Sequence, residues 1–468
     1  MEVYFDNAAT TMVREEAAAA MNRVMLGTYG NPSSTHKMGR RAAGELTAAR
    51  RDVAAALGAQ PDELFFTSGG TEADNWAAAC IAGDRARKGR HIITSLIEHD
   101  AVINPIKELE KEGWSVTYLS PDSAGRVPVE DFAEALRDDT VFASIMLVNN
   151  ETGAVNPVDG YAREIKRRKL VTLLHTDAVQ GFCKIPFHVK TLGADLVSVS
   201  AHKIHGPKGI GALYVRKGVK LRPLFLGGGQ ESGKRAGTEA LPSASGFAEA
   251  ARLGRIELEE TARAAGELRE YTIRRLAEEI PGVVFIGGGN RRSGVDRRGD
   301  TNRRADTNRR GIADRRRDTD RRGGADRRSG ADQRGGADRR GDTNRRGDTD
   351  QHSDRDRRGD PDQHSDRDRN SDRDRPPTGF SPFILSLSLP GYKGEVLVNY
   401  LDGEGICVSR SAACKKGGRS RVLEAMKLKN EVVDGALRAS FSRYSTIDEA
   451  EYFVRTLSRA AQTLLKPL

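Results

Sequence analysis

Apolar runs and amphipathic stretches alternate along the first half of the chain. The runs at 63–67, 91–94, 115–119, 141–148, 170–175, 195–200 and 211–215 have strand character. Between several of them, 40–57, 72–84 and 101–112 carry apolar residues at helical spacing. Regular alternation of this kind predicts an α/β domain with a mostly parallel sheet, and short runs apolar on both faces suit its buried strands. Beyond residue 241 the pattern changes. Residues 243–279, rich in Ala, Glu, Leu and Arg, read as one long helix that stops before Pro281-Gly282. Strands at 383–387, 405–409 and 436–441 with helices at 394–404 and 447–465 then predict a smaller α+β domain. The division expected is a large domain over 15–255, a small one from 1–14, 256–289 and 378–468, and an insert at 290–377.

The insert changes how the charge is read. Residues 290–377 hold 27 Arg and 20 Asp but no Lys, Glu, Leu, Phe, Tyr, Trp, Met or Cys. The other 380 residues carry 49 basic and 46 acidic side chains, so most of the formal +10 belongs to the insert and is weak evidence for a nucleic-acid partner. Ten hexads of the RRGDTN and RRGGAD type fill 291–350, and only Val295 and Ile312 offer a large apolar side chain there. A repeat without a fixed apolar position cannot build a β-helix, so a disordered, tolerated loop expansion is expected. The four cysteines (Cys80, Cys183, Cys407, Cys414) form no CxxC pair, the start MEVYFDNAATTMV has no signal-peptide pattern, and no apolar run reaches the length of a membrane span. A reduced, cytoplasmic setting without membrane contact is the expectation.

Candidate chemistry gathers where strands end. SVSAHKIHGPKGIG (198–211) sets Lys203 just past an apolar strand. A poorly hydrated lysine there loses its proton readily and can form a Schiff base with an aldehyde, although a lysine in a Gly-rich turn is also commonly a surface residue. An enzyme using pyridoxal phosphate needs that lysine, an anion cradle, a carboxylate for the ring nitrogen and a group over the ring. FTSGGTE (66–72) joins a strand to a helix and suits the cradle, with a capping arrangement of Thr71 and Asp74 as the plainer reading. Asp177 in HTDAVQ (175–180) closes a strand, as a ring-nitrogen partner or as an N-cap. His99 follows another strand and Asn150 a third. Cys414 lies among small and basic residues (Lys415, Lys416, Arg419) that favour its thiolate, whereas Cys407, Cys80 and Cys183 read as packed residues.

YFDNAATT (4–11), NPSSTH (31–36), TSGGTEADN (67–75), Glu98-His99, VNNETG (148–153), HTDAVQ, SAHKIHGPKG (200–209), GGGQESGKRAGT (227–238) and the Cys414 loop together resemble the cysteine desulfurases of the NifS/IscS type within the class-V aminotransferases. The resemblance spans nearly all of the chain outside the repeat. It implies an aminotransferase-like (fold type I) large domain and pyridoxal 5'-phosphate as cofactor. Lys203 would hold the cofactor, Asp177 its ring nitrogen and His99 its ring face, with a part in acid–base steps. Asn150 and Gln180 would meet the ring oxygen, and Gly70, Thr71, Ser200 and His202 the phosphate. Thr238 would reach the phosphate of a second subunit, which implies a homodimer. Arg438 and Asn31 would bind L-cysteine, and Cys414 would accept sulfur as a persulfide for an iron–sulfur scaffold or other acceptor protein. No metal site is implied beyond a transient hold of Cys414 on a nascent iron–sulfur cluster. Two departures stand out: SRSAAC (409–414) replaces the usual SSGSAC, and the repeat occupies a normally short connection. A selenocysteine lyase or another class-V lyase or aminotransferase shares Lys203 and Asp177 without needing Cys414. A nucleic-acid-associated protein acting through the Arg-rich repeat has no use for Lys203.

Overall fold

The structure is a computed structural model, and it describes residues 1–79, 87–288, 379–411 and 418–464. The repeat insert, Cys80 and Cys414 lie outside the described residues. All described residues fall in one compact unit.

Its centre is a seven-stranded sheet. In spatial order the strands are Leu64–Thr67, Gly211–Val215, Leu196–Ser200, Leu173–Asp177, Thr140–Ser144, His91–Ser95 and Ser115–Leu119. Gly211–Val215 pairs antiparallel with both neighbours, and the pairings beyond Leu196–Ser200 are parallel. Successive side chains point to opposite faces. Thus Ile92, Leu173, Leu196 and Leu213 pack with the helices Gly70–Ala79 and Asp100–Lys111, in a layer that includes Trp76, Ile106 and Trp114. Ile93, Leu174, Val197 and Ala212 join the opposite layer with the helices Lys37–Leu57 and Leu241–Ile256. Each buried Leu, Ile or Val contributes about 1.5–3 kcal/mol, so both faces of the sheet are held shut. This is the α/β arrangement expected from the alternation.

A second apolar core lies around a four-stranded sheet ordered Ser409–Arg410, Ala436–Ser440, Ile384–Ser388 and Val284–Phe285. The N-terminus belongs to this core. Val3–Tyr4 pairs in parallel with Ile406–Cys407, and Phe5 meets Phe441 and Phe453 edge to face at 5.1 and 5.9 Å. From there the chain runs through Ala8 and Ala9 into the cleft described below.

Three expectations need correction. The long helix is two, Leu241–Ile256 and Leu258–Glu279, and the break at Glu257 falls where its carboxylate takes ion pairs from Arg14 and Arg443. The strand expected at 141–148 ends at Ser144, after which Ile145 and Leu147 still donate to His175 and Asp177 carbonyls while the chain turns into VNNETG. The strand expected at 405–409 is two short strands in different sheets.

Candidate active site

A cleft opens at the C-terminal ends of the parallel strands, where open α/β sheets bind ligands. About 430 Å³ in volume, it is lined by Gly70, Thr71, His99, Asn150, Asp177, Gln180, Ser200, His202, Lys203 and Arg438, all singled out from the sequence. Ala8, Ala9, Asp74, Met146, Glu151, Val179 and Ser411 complete its wall. Asn31 and Thr238 are exposed and do not line it; the Asn31 carboxamide oxygen accepts from the Ser33 amide.

Lys203 sits in a short 3-10 turn, Ala201–Lys203, directly after its strand. Its Nζ donates to the carbonyls of Ala8 and Ala9, at 2.6 Å each. Asp177 ends the neighbouring strand and accepts from the Val179 amide at 2.9 Å. Burial raises the pKa of its carboxyl, against the pull of His99, that amide and Lys203. The Nδ1 of His99 accepts from the Ala101 amide at 3.1 Å and so caps the helix Asp100–Lys111. With that lone pair in use, neutral His99 carries its proton on Nε2.

The loop 149–153 is shaped by Asn149, whose Oδ1 accepts from Glu151 N, Thr152 N and Thr152 Oγ1 while Nδ2 donates to Ile97 O at 3.0 Å. Asn149 is therefore the brace, and Asn150 and Glu151 are the residues delivered to the cleft. Burial pushes the Glu151 carboxyl up to about 7 even though it accepts from Ser420 Oγ. Arg438, in the strand Ala436–Ser440, donates to Asn150 O (2.9 Å) and Asp6 Oδ1 (2.8 Å) and keeps an unpartnered, buried Nε.

Behind Asp177 lies a polar layer that sequence reasoning missed. Asp74 is not a cap: Glu72 reaches back to the Ser68 amide instead, and Asp74 is buried on the inner face of the helix Gly70–Ala79. Burial and the adjacent Asp177 raise the Asp74 carboxyl well above the carboxylate range. Its neighbour His175 is pushed down to about 3 by burial, so the 3.5 Å approach of Asp74 to His175 brings the carboxyl to an uncharged imidazole. His175 hydrogen-bonds Ser144 and Ser198, and Glu98, pushed up to about 8, accepts from Ser95 Oγ and the Met146 amide. The sequence signal for this layer was a polar residue at an inward position of an otherwise apolar helix or strand.

These residues fit pyridoxal phosphate. Ser200 Oγ is buried without a partner at the start of the Lys203 turn. Beside it the helix Gly70–Ala79 offers first-turn N–H groups that no preceding turn can use. Gly70 is needed there, since a Cβ would meet Val179 Cγ2 at 2.8 Å. Gly211 is needed too, because a Cβ would meet the Gly69 backbone at 2.7 Å. Ser200, Gly70, Thr71 and neutral His202, pushed down to about 4 by burial and by Lys203, would hold a phosphate. Lys203 and Asp177 would hold the ring.

An α/β fold with a strand-end lysine, a buried aspartate on the next strand and an empty-handed serine beside a helix start defines a pyridoxal-phosphate enzyme. The chain belongs to the class-V aminotransferase family, which it matches over residues 3–295. It is 46% identical to the cysteine desulfurase IscS of Dictyoglomus turgidum over 286 residues, 61% of this chain and 72% of that one. It is also 46% identical to cysteine desulfurase IscS of Methanosarcina thermophila over 274 residues, 58% of this chain and 67% of that one. Among solved structures, a NifS-like protein aligns with a TM-score of 0.76 and 33% identity, covering 99% of this chain and 100% of the other.

Proposed function

We propose that this chain is a pyridoxal-phosphate-dependent cysteine desulfurase that turns L-cysteine into L-alanine and passes the sulfur through Cys414 to an acceptor protein for iron–sulfur or other thio-cofactor assembly. The observation that carries the reading is the meeting of Lys203, Asp177, unpartnered Ser200 and Arg438 in one cleft. When bound, the cofactor supplies an electron-withdrawing ring that stabilises negative charge developing on the substrate carbons. Asp177 would hold the ring nitrogen in its protonated form. Arg438 takes the substrate carboxylate with Nε and its neighbouring N–H groups. Lys203 Nζ removes the Cα proton, and His99 offers its Nε2 proton to the cleft. The Cys414 thiolate attacks the substrate sulfur: the S–S bond forms as Cβ–S breaks, and the electron pair stays on carbon, which takes up a proton.

The second core, built by residues on either side of the insert and by Val3 and Phe5, supports a small domain from 1–14, 256–289 and 378–468. A homodimer is part of the reading. Thr238 lies away from its own cleft, and Leu226 nearby in sequence is 90% exposed. The free thiols of Cys183 and Cys407 accord with a reducing cytoplasm, and among the described residues no helix is long and apolar enough to cross a membrane.

The test is to add pyridoxal phosphate to the purified chain and follow absorbance, alanine and sulfide. Binding of the cofactor is expected, with loss of the bound-cofactor band in Lys203→Ala. Cys414→Ala should keep the band and lose sulfide release from cysteine. A chain that takes up no cofactor would sink the reading, and one that binds it without releasing alanine would sink the desulfurase part.

A further inference from the structure

A second lysine lies beside the cleft with no role in the chemistry above. Lys184 is four residues past Gln180, and only 7% of its surface is exposed. Burying an ammonium is costly unless a carboxylate pairs with it, yet among the described residues its hydrogen-bond partner is the Gln180 Oε1, at 3.3 Å. The charges that act on it are of its own sign: burial, then Lys203 and Arg438, bring its pKa down to about 7. Lys184 and Lys203 also line a chamber of about 40 Å³ with Thr11, His205 and the Glu257 carboxylate, which Arg14 and Arg443 already pair. That chamber has room for roughly two or three waters, enough to satisfy the other N–H groups of Lys184.

The hydrogen bonds leave Gln180 one orientation. Its Nε2 donates to the Ala8 carbonyl at 2.8 Å, the same carbonyl that takes Lys203 Nζ. Turning the amide over would face NH₂ against the Lys184 donor and set oxygen against the Ala8 oxygen. Both exchanges replace a hydrogen bond by a repulsion. Without the lysine, one of these two penalties disappears, the Ala8 carbonyl alone holds the amide, and the flipped state with Oε1 toward the cleft becomes more populated.

We propose that Lys184 is a positioning residue that locks the Gln180 amide with its N–H₂ group toward the cofactor's ring oxygen. This rests on the proposed pyridoxal-phosphate reading. It explains why a fully apolar side chain, which would fill the same space without the desolvation cost, does not stand at 184. An N–H offered to the ring oxygen favours its deprotonated form, so losing that donor makes the bound cofactor hold its proton to higher pH.

The experiment compares wild type, Lys184→Met, Lys184→Arg, Gln180→Leu and the Lys184→Met/Gln180→Leu pair, each loaded with pyridoxal phosphate. The readout is the pH midpoint of the bound cofactor's absorbance. Lys184→Met is expected to raise the midpoint by about 0.5 to 1 pH unit, and Lys184→Arg to leave it near wild type. In the Gln180→Leu background, Lys184→Met should add nothing, because the two act through one contact. An unmoved midpoint in Lys184→Met overturns the proposal. So does an equal shift with and without Gln180, which would make Lys184 a charge acting through space. Should Lys184→Met fail to fold, Lys184→Leu takes its place under the same criteria. A wild-type chain that binds no cofactor overturns this inference and the proposed function together, whereas unmoved midpoints in a chain that binds it overturn this inference alone.

Discussion

The cleft has two walls that meet the same problem from opposite sides. Behind Asp177 stand Asp74 and Glu98, carboxyls whose burial drives them toward the protonated form. Around Lys203 stand Lys184, His202 and His205, bases whose burial drives them toward the unprotonated form. Desolvation acts alike on both walls, disfavouring charge of either sign. Specific contacts decide which group keeps its charge. Asp177 has the Val179 amide, His99 and Lys203 to favour its anion, whereas Asp74 has the Ser198 hydroxyl alone to favour its own, with the carboxyls of Asp177 and Glu98 against it. The groups that favour the Asp177 anion, Lys203 and His99, line the cleft itself, at the place where a ring nitrogen needs a carboxylate.

The largest expected break of this contrast is Asp177→Asn. It keeps the shape and removes the carboxyl that Lys203 and His99 help toward its anion. Turnover should fall by roughly 10²–10⁴ while the cofactor band persists, and a steady-state rate within tenfold of wild type would show that the charge is not needed. On the basic side, Arg438→Lys removes the forked donor set but not the charge. The KM for L-cysteine should rise about tenfold or more with a smaller change in kcat, and an unchanged KM would remove Arg438 from substrate binding.

The two walls should also tilt the stability profile in opposite senses. Glu98 in the folded chain holds its proton up to about pH 8, whereas unfolded glutamate releases it near 4.3. Between those values the folded state binds more protons, so stability falls as pH rises, by as much as about 1.4 kcal/mol per unit. Lys184 releases its proton near pH 7 when folded and near 10.4 when unfolded. Between those values the unfolded state binds more protons, and stability rises with pH. Urea unfolding of the apoprotein at pH 5, 7 and 9 checks both. Glu98→Gln should flatten the fall and Lys184→Met the rise; parallel curves for wild type and both variants would refute the contrast. The smallest effect is expected outside the walls. Deleting 290–377 should leave the desulfurase rate within about twofold, and a loss of activity would tie the repeat to the site.

Much of the site was legible because its residues sit in short, ordered motifs at strand ends, where polar and glycine residues interrupt apolar runs. Asp177, Ser200, Lys203, Gly70 and His99 all fall there. Asp74, Glu151 and Lys184 were not legible in the same way. Asp74 reads as a helix cap, and nothing local shows that its carboxyl turns inward against His175. Glu151 shares a motif with Asn149 and Asn150, and only the loop geometry shows which one braces and which ones face the cleft. The break at Glu257 has the same origin: no glycine or proline stands at it, and the arginines gathered on its carboxylate come from residues 14 and 443.

The order of apolar and polar positions by itself determined the α/β layering, the strand ends that carry chemistry and the type of each chemical group. These depend on period and residue identity, which are local. Tertiary structure alone decided which groups are charged, which amide orientation Gln180 takes and where the long helix breaks. Each of those depends on solvent exclusion and on at least one partner far away in the chain, such as Ala8 for Gln180 and Arg14 for Glu257, and neither is written into any one segment.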